Sequence, residues 1–292
     1  MSAVADRPGQ VAILGAGPIG LDAALAFLDK GWSVTVYEAA ASVAANVTAW
    51  SHIRLFTPWS MTVSARMLAH LHAAGIAPPG PAEYCPTGGE LVERLLAPLA
   101  ELPELAVSIR KRTRVLALAR EGLLKHEEIG TPRCRTHPFR LLIRGPDGVE
   151  RVARANLVLD CTGSYGHANS LGDGGIPAPG EPQAQDRITR RIPDLSHDAD
   201  EWAGRQVLLI GAGKSAQTAA RELAELVTAR PGTHIVWAVR AADPTGGRSP
   251  RTPCRNANSW SKSPSGYAPA RCPVCGYAPA SWWTPCKKQA TG

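Results

Sequence analysis

Residues 10–38, QVAILGAGPIGLDAALAFLDKGWSVTVYE, decide the fold of the first part of the chain. The apolar residues 11–14 predict a buried strand, and residues 33–37 predict a second one. Between them, apolar residues recur with helical spacing until Lys30 and Gly31 close the helix. Strand, helix and strand in this order predict a unit of a parallel α/β sheet.

The turn between the first strand and the helix carries Gly15, Gly17 and Gly20 in the spacing G-x-G-x-x-G, with Pro18 inside it. The first glycine permits a tight turn, the second lets the backbone approach a pyrophosphate, and the third allows close packing of helix on strand. Phosphate would lie at the positive end of the helix dipole. Glu38, 23 residues after Gly15, stands where a carboxylate can accept hydrogen bonds from a ribose diol. The stretch therefore predicts a dinucleotide site, with an unliganded turn as the alternative.

The pattern recurs at residues 206–216, QVLLIGAGKSA, where Gly211, Gly213 and Ala216 give G-x-G-x-x-A. A helix with apolar periodicity follows, and the strand HIVWAVR ends at Arg240. A guanidinium can bind a 2′-phosphate through paired hydrogen bonds, whereas an acid would repel it. The second site is therefore predicted to bind NADP, with NAD as the alternative.

Two such units, with first glycines 196 residues apart, indicate two different dinucleotides, for which flavin plus nicotinamide is the usual pairing. Short alternating strands are predicted within residues 106–120 and 139–153, with a turn at 146–148. Residues 155–163, ANLVLDCTG, predict an apolar strand that returns to the parallel sheet. Gly163 at its end would let backbone pass close to a cofactor.

Composition places the chain among globular proteins, since 44% of its residues are hydrophobic and 20% are charged. No apolar stretch reaches the roughly 20 residues of a membrane helix, and the N-terminus lacks the pattern of a secretory signal. We therefore expect a cytoplasmic protein with a small-molecule substrate and with no nucleic-acid or membrane partner. The oligomeric state is not predicted.

The net charge of +7 has one source, because residues 1–243 contain all 25 acids and 25 of the 32 lysines and arginines. From Pro244 onward the sequence has no Asp, Glu, Leu, Ile, Met or Phe. Such a composition cannot build an ordinary core. The two parts of the chain therefore need separate interpretations.

Three interpretations of this tail remain open. Four cysteines could bind zinc, although only one C-x-x-C is present; they are Cys254, Cys272, Cys275 and Cys286. The scattered basic residues could bind nucleic acid; they are Arg248, Arg251, Arg255, Lys262, Arg271, Lys287 and Lys288. The favoured hypothesis is that the tail is translated out of frame, because it is rich in Arg, Pro, Cys, Trp and Ser and has no acids.

The motifs GAGPIG with Glu38, LVLDCTG, LLIGAGKSA and VWAVR, in this order, resemble the flavoproteins with two dinucleotide-binding domains. The resemblance is closest to the flavin-containing monooxygenase and Baeyer–Villiger-like branch. The segments HIRLFTPWSMTVS (52–64) and PTGGELVERLLAPLAEL (86–102) also resemble bacterial FAD-dependent oxidoreductases. About residues 8–247 are covered, and the chain looks C-terminally truncated or frameshifted relative to that family.

The resemblance implies an α/β fold: a Rossmann-like FAD-binding domain with a β-meander, plus an inserted, incomplete NAD(P)-binding Rossmann domain. The expected divisions are an FAD-binding domain at 1–168, an interdomain crossing at 169–204, a partial NAD(P)-binding domain at 205–247 and an aberrant, disordered tail at 248–292.

The family's cofactor contacts map onto the two glycine motifs. FAD is expected at Gly15, Gly17, Pro18, Gly20 and Glu38, and at Val115, Thr162 and Gly163. NADP or NAD is expected at Gly211, Gly213, Lys214, Ser215, Ala216 and Arg240. Since the flavin carries the redox chemistry, the resemblance requires no side-chain nucleophile or acid–base pair. Catalytic residues are therefore left unassigned, and no metal site is predicted.

The implied function is an NAD(P)H-dependent FAD oxidoreductase that is monooxygenase-like: hydride passes from NADPH to FAD, and then to O2 or another acceptor. The monooxygenase fingerprint F-x-G-x-x-x-H-x-x-x-W/Y is incomplete, because RRIPDLSHDADEW lacks its Phe and Gly. A generic flavin oxidoreductase is thus favoured over an oxygenase. The alternatives are a truncated nucleotide-binding remnant with little turnover, and a reductase or dehydrogenase that does not use O2.

Overall fold

The structure is a computed structural model, and it describes residues 9–132 and 136–239, together with the backbone of one strand at Cys275–Pro279. The chain divides into two compact units, Met1–His167 and Ala168–Gly292.

The first unit is organised by two sheets. Its described strands are β1 (Gln10–Leu14), β2 (Ser33–Tyr37), β3 (Ile109–Arg110), β4 (Arg114–Arg120), β5 (Phe139–Arg144), β6 (Glu150–Ala155) and β7 (Leu157–Asp160). Four of them pair in parallel in the order β3-β2-β1-β7. The other three form the antiparallel meander β4-β5-β6. The predicted α/β class, with a parallel sheet and a meander, is confirmed.

Helices cover one face of the parallel sheet. They are α1 (Pro18–Leu28), α2 (Ala45–Thr48), α3 (Trp59–Thr62), α4 (Ala65–Ala73), α5 (Gly88–Leu91), a π-helical turn (Val92–Leu96), α6 (Ala97–Glu101) and α7 (Pro103–Ala106). The side chains of Leu21 and Leu25 on α1 are fully buried in one core with Leu95, Leu99 and Leu105. Burial of a leucine side chain contributes about 1.5–3 kcal/mol, so this core anchors α1 on the sheet.

The meander packs on the opposite face of the parallel sheet. Leu141 of β5 is fully buried in a second core with Ala12 and Leu14 of β1. The predicted turn at 146–148 is confirmed: the Gly148 N–H donates to the Gly145 carbonyl at 3.0 Å, and Gly148 has a φ of +76°. This packing places the start of β4 beside the ends of the parallel strands.

The second unit is a smaller α/β layer. After two 3-10 turns (Asp173–Gly175 and Pro182–Arg187), its described elements are α8 (Ala199–Trp202), β8 (Gln206–Ile210), α9 (Lys214–Ala229), β9 (His234–Val239) and β10 (Cys275–Pro279). The three strands pair in parallel in the order β10-β9-β8. Leu223 and Leu226 of α9 are buried against Ile235 of β9, as expected for a helix that crosses over between two parallel strands.

The presence of a third strand, β10, differs from the sequence-based prediction. That prediction gives this domain two strands and leaves the tail at 248–292 disordered. Cys275 pairs with Ile235, and the register continues to Pro279 beside Val239. Strand pairing uses backbone groups, so a segment without a hydrophobic pattern can still join a sheet. As the edge strand, β10 also tolerates its proline. The other tail residues proposed for zinc or nucleic acid lie outside the described residues.

A buried carboxylate, that of Glu181, holds together the segment at 171–190, which precedes α8. The Glu181 side chain is 3% exposed. Its Oε2 accepts hydrogen bonds from the N–H groups of Leu171 at 3.0 Å and Ala178 at 2.8 Å. Its Oε1 accepts one from the Arg190 guanidinium at 2.8 Å. The hydrogen bond from Arg190, together with those from the backbone, lowers the pKa of Glu181 from its ordinary value.

We expect Glu181→Gln to lower the melting temperature by a few degrees at neutral pH. A carboxylate with a lowered pKa stabilises the fold above its ordinary pKa, and this contribution is lost as the pH falls through the lowered value. Thermal melts of wild type and variant should therefore converge in acid. Asp186→Asn is the control, because the Asp186 carboxylate is 76% exposed and lies 4.0 Å from Arg187; it should melt like wild type at both pH values. A gap that widens in acid would contradict the assignment.

Candidate functional site

The first glycine turn lies where the order of the parallel sheet reverses. β1 is flanked on one side by β2 and on the other by β7, the last strand of the unit. In open α/β sheets, ligands bind outside the carboxyl ends of the strands at such a switch point. The Cys161 N–H donates to the Leu14 carbonyl at 2.9 Å. The residues after β7 therefore run directly beside the turn after β1.

Two of the glycines are required by close approach of backbone. Gly15 has a φ of +96°, and a Cβ there would lie 2.8 Å from the Cys161 carbonyl oxygen. A Cβ on Gly20 would lie 2.0 Å from the Gly15 carbonyl oxygen. The roles predicted for the first and third glycines, tight turn and close helix packing, thus have a direct steric basis.

The middle glycine has a different surrounding. Nothing lies within 4 Å of a Cβ built on Gly17, so the position faces open space. Gly17 is the N-cap of α1, no side chain caps this helix, and Pro18 occupies its first turn. The first N–H groups of a helix have no intrahelical partner, so those of Ile19 and Gly20 are available to a ligand. An anion is the ligand that this end of a helix favours.

Glu38 joins the end of β2 to the glycine turn. Its Oε2 accepts a hydrogen bond from the Ala16 N–H, and its Oε1 accepts one from the Ala40 N–H, both at 2.8 Å. The backbone of Glu38 also donates to the Arg110 carbonyl at 3.0 Å and accepts from the Thr113 N–H at 2.8 Å. The carboxylate is thus fixed beside the turn. Each carboxylate oxygen has a further lone pair for another donor.

The remaining residues predicted for the first site flank this centre. Val115 is the second residue of β4 and is half-buried in the core between the meander and the parallel sheet. Thr162 donates through both its N–H and its hydroxyl to one Asp160 oxygen, at 3.0 and 2.6 Å, which lowers the pKa of Asp160. Gly163 follows with a φ of +71°. Their contact with a cofactor stays a prediction.

Cys161 is the free cysteine of the described residues, and it is half-buried. Burial, together with the charge of Asp160, raises the pKa of its thiol above the ordinary value. Because the thiolate is the nucleophilic form, these surroundings disfavour redox chemistry at this sulfur.

The second glycine turn, between β8 and α9, has the same arrangement as the first but more space around its first glycine. The Gly211 N–H donates to the Ala238 carbonyl at 3.0 Å, and Gly211 has a φ of +115°. The atom nearest to a Cβ built there is the Cβ of Ala216, at 3.9 Å. This turn therefore accepts alanine where the first turn requires Gly20.

The start of α9 offers the same kind of anion site as α1. Gly213 is its N-cap, with no side-chain cap, and nothing lies within 4 Å of a Cβ built on it. Lys214 and Ser215 follow in the first turn, and both are exposed. Arg240, predicted to select a 2′-phosphate, lies outside the described residues, so its role stays a prediction.

Among residues 9–132 and 136–239, no three His, Cys, Asp or Glu side chains are grouped to hold a metal ion. No helix in the same ranges has the length and apolar content to cross a bilayer.

Comparison with known proteins gives structural matches only. Neither protein-family models nor curated proteins match the sequence. Among solved structures, the chain is similar to bacillithiol disulfide reductase from Bacillus cereus, with a TM-score of 0.56 and 16% identity over 93% of this chain and 68% of that one. It is also similar to S-allyl-L-cysteine S-oxygenase from Allium sativum, with a TM-score of 0.54 and 16% identity over 84% of this chain and 54% of that one. A third match is OTEMO in complex with FAD and NADP, with a TM-score of 0.50 and 17% identity over 81% and 40% of the two chains.

The chain shares the fold of these three proteins. At 16–17% identity the similarity concerns the architecture, and the chain spans between 40% and 68% of the lengths of these three proteins.

Two supports of the second turn within this fold were missed by sequence reasoning. The Trp237 indole N–H donates to the Gly211 carbonyl at 2.7 Å, and the Gln217 side-chain amide donates to the Ala212 carbonyl at 3.1 Å. Trp237 belongs to the apolar run of β9, where a tryptophan is ordinarily explained by packing. Gln217, one turn into α9, belongs to no sequence motif that would predict its hydrogen bond to the turn.

We expect Trp237→Phe to weaken NADP binding roughly three- to tenfold, because the lost hydrogen bond is worth about 0.5–1.5 kcal/mol and leaves the turn less well fixed. Titration of NADP by calorimetry measures the effect. Trp202→Phe is the control, since Trp202 packs against the core of the same unit, whereas the side-chain hydrogen bonds to the second turn described above come from Trp237 and Gln217. Equal losses in both variants would show a general packing effect and contradict the assigned role.

Proposed function

We propose that the chain is an NAD(P)H-dependent FAD oxidoreductase, with FAD on the first glycine turn and NADP, or alternatively NAD, on the second. One observation carries the proposal: the Glu38 carboxylate is fixed to the N–H of Ala16, inside a glycine turn that presents the uncapped start of α1 at the switch point of the sheet.

The residues of the first turn fit an FAD diphosphate. Gly17 leaves open space at the start of α1, and free backbone N–H groups together with the helix dipole favour the two phosphates. The free lone pairs of Glu38 suit the two hydroxyls of the adenosine ribose. Thr162 and Gly163 follow Cys161, whose N–H donates a hydrogen bond to the Leu14 carbonyl. This bond places them beside the same turn.

The residues of the second turn fit the pyrophosphate of a nicotinamide dinucleotide. Gly213 is open, and Lys214 and Ser215 stand in the first turn of α9. An exposed lysine at that place adds positive charge beside the helix N-terminus, where phosphate is favoured. OTEMO, which shares the fold, was solved with FAD and NADP together, and this supports assigning one cofactor to each turn.

Bound flavin would supply the redox chemistry by accepting hydride from the reduced nicotinamide and passing the electrons to an acceptor. The described residues of this chain bind and orient: the two turns hold phosphates, and Glu38 holds a ribose. We infer no catalytic side chain. The raised pKa of Cys161 disfavours its thiolate, so the proposal assigns no redox role to this sulfur.

The proposal also concerns the molecule that accepts the electrons from the reduced flavin. The proteins that share the fold include a disulfide reductase and an S-oxygenase, so the fold is compatible with either outcome. We propose that the electrons pass to O2 or to another acceptor in the conversion of a small-molecule substrate. The motif resemblance favours a monooxygenase-like use of O2, whereas the incomplete fingerprint favours a generic oxidoreductase that uses another acceptor. A nucleotide-binding remnant without turnover is less favoured, because the proteins with this fold named above include redox enzymes.

The decisive experiment is the flavin content of the purified full chain. We expect flavin absorbance bands that stay with the chain through desalting, either as purified or after incubation with FAD. NADPH should bleach these bands anaerobically, and admission of O2 should restore them. A chain that retains no flavin after incubation with excess FAD and desalting would refute the proposal. Bands that NADPH and NADH fail to bleach would refute its nicotinamide half.

A further inference from the structure

An exposed basic segment, Arg110, Lys111, Arg112 and Arg114, lies beside the first candidate site. All four side chains are exposed, and none is in an ion pair with an acid of the described residues. Four cations within five residues form the densest cluster of positive charge in the described part of the chain. This basic segment needs an explanation beyond ordinary solvation.

The fold joins the backbone of the basic segment to the backbone of Glu38, the residue whose carboxylate is proposed to hold ribose. The Arg112 N–H donates to the Ala40 carbonyl at 2.8 Å, and the Thr113 N–H donates to the Glu38 carbonyl at 2.8 Å. In return, the Glu38 N–H donates to the Arg110 carbonyl at 3.0 Å. These three backbone bonds keep the charges within a few residues of the first glycine turn, whatever rotamers the long side chains adopt.

One feature of the basic segment costs local stability. Arg112 has a φ of +51°, a left-handed conformation that costs a non-glycine residue about 1–2 kcal/mol. Arg114 stands directly opposite Arg144 in the antiparallel register of β4 and β5, but the Arg144 guanidinium is paired with the Glu150 carboxylate at 2.7 Å, which offsets the repulsion between the two arginines. A cost like that at Arg112 is typically found where function requires it.

We infer that the basic segment attracts the anionic dinucleotide to the first glycine turn and accelerates its association. The inference rests on the proposed function, since FAD carries two negative charges on its diphosphate. Glu38 is itself acidic and repels an approaching anion, so a cofactor that needs this carboxylate at close range benefits from cations beside it at long range. A field of this kind raises association rates and is screened by salt.

The test compares two double variants with the same net charge. Lys111→Gln with Arg112→Gln removes two cations of the basic segment. Lys30→Gln with Lys125→Gln removes two exposed lysines that lie after the far end of α1 and after β4. Each full-length chain is stripped of flavin, and the rate of FAD association is followed by stopped-flow quenching of flavin fluorescence. Salt is varied from about 10 mM, where screening acts over about 30 Å, to about 1 M, where it acts over about 3 Å.

At low salt, we expect the basic-segment variant to associate roughly three- to tenfold more slowly than wild type and the lysine control, with unchanged dissociation. The rates should converge at high salt. Equal rates for both variants at low salt would overturn the inference and leave the proposed function intact. So would a defect that persists at high salt or appears in dissociation, because that result would indicate direct contact. If wild type fails to bind FAD at all, both the inference and the proposed function fail.

Discussion

Replacement of Gly20 by alanine is expected to abolish FAD binding and to destabilise the first unit by about 3 kcal/mol or more, the upper end of overpacking costs. The new Cβ would lie 2.0 Å from the Gly15 carbonyl oxygen and 3.1 Å from its carbon. Both atoms are backbone, so no side chain can rotate away. α1 must move off the turn, and the N–H groups that would face the diphosphate move with it. Thermal melting of the unliganded chain and flavin retention after desalting measure the two effects.

Gly17→Ala separates the two consequences. Nothing lies within 4 Å of a Cβ there, so the melting temperature of the unliganded chain should stay close to that of wild type. The added methyl group would, however, occupy the open space where the diphosphate is proposed to lie, so FAD affinity should fall. Gly166→Ala serves as the neutral control, since its Cβ also meets nothing. Normal flavin retention by Gly20→Ala would contradict the steric argument.

The sequence predicts the parts of the fold that obey local rules. The strand, glycine turn and helix at 10–28 are visible because the periodicity changes at the glycines, and the structure confirms them as β1 and α1. The return of β7 to the parallel sheet is visible from an apolar run ending in Asp160. Each of these elements is defined by residues that are close together in the sequence, so the local pattern of apolar residues is enough to predict it.

What the sequence could not give depends on contacts between distant residues. The π-helical turn at Val92–Leu96, between α5 and α6, could not be predicted, because Leu91, Leu95 and Leu99 keep ordinary helical spacing through it. The motif predicts close packing at Gly20, but the atom that makes the contact, the Gly15 carbonyl oxygen, is known only from the fold. The left-handed Arg112 also escapes prediction, since arginine carries no signal for that conformation.

Glu38→Ala is expected to weaken FAD binding by at least about a hundredfold. Hydrogen bonds that involve a charged group contribute about 1.5–3 kcal/mol each, and two ribose hydroxyls would lose their acceptor. The variant also leaves the N–H groups of Ala16 and Ala40 without the acceptors that they have at 2.8 Å. The glycine turn would then be less well ordered before the cofactor arrives. Fluorescence titration of the flavin-stripped chain with FAD measures the loss.

A second carboxylate in the same unit provides the matched control. Glu90 accepts hydrogen bonds from the Thr87 N–H at 2.9 Å and the Tyr84 hydroxyl at 3.0 Å, where it completes the cap of α5. Glu90→Ala should lower the melting temperature through loss of the cap and leave FAD affinity close to wild type. Glu38→Asp should bind FAD more weakly than wild type, because the shorter side chain cannot span Ala16 and Ala40 together. If Glu38→Ala and Glu90→Ala lost flavin equally, the carboxylate would act only through stability, and its assignment to ribose would be wrong.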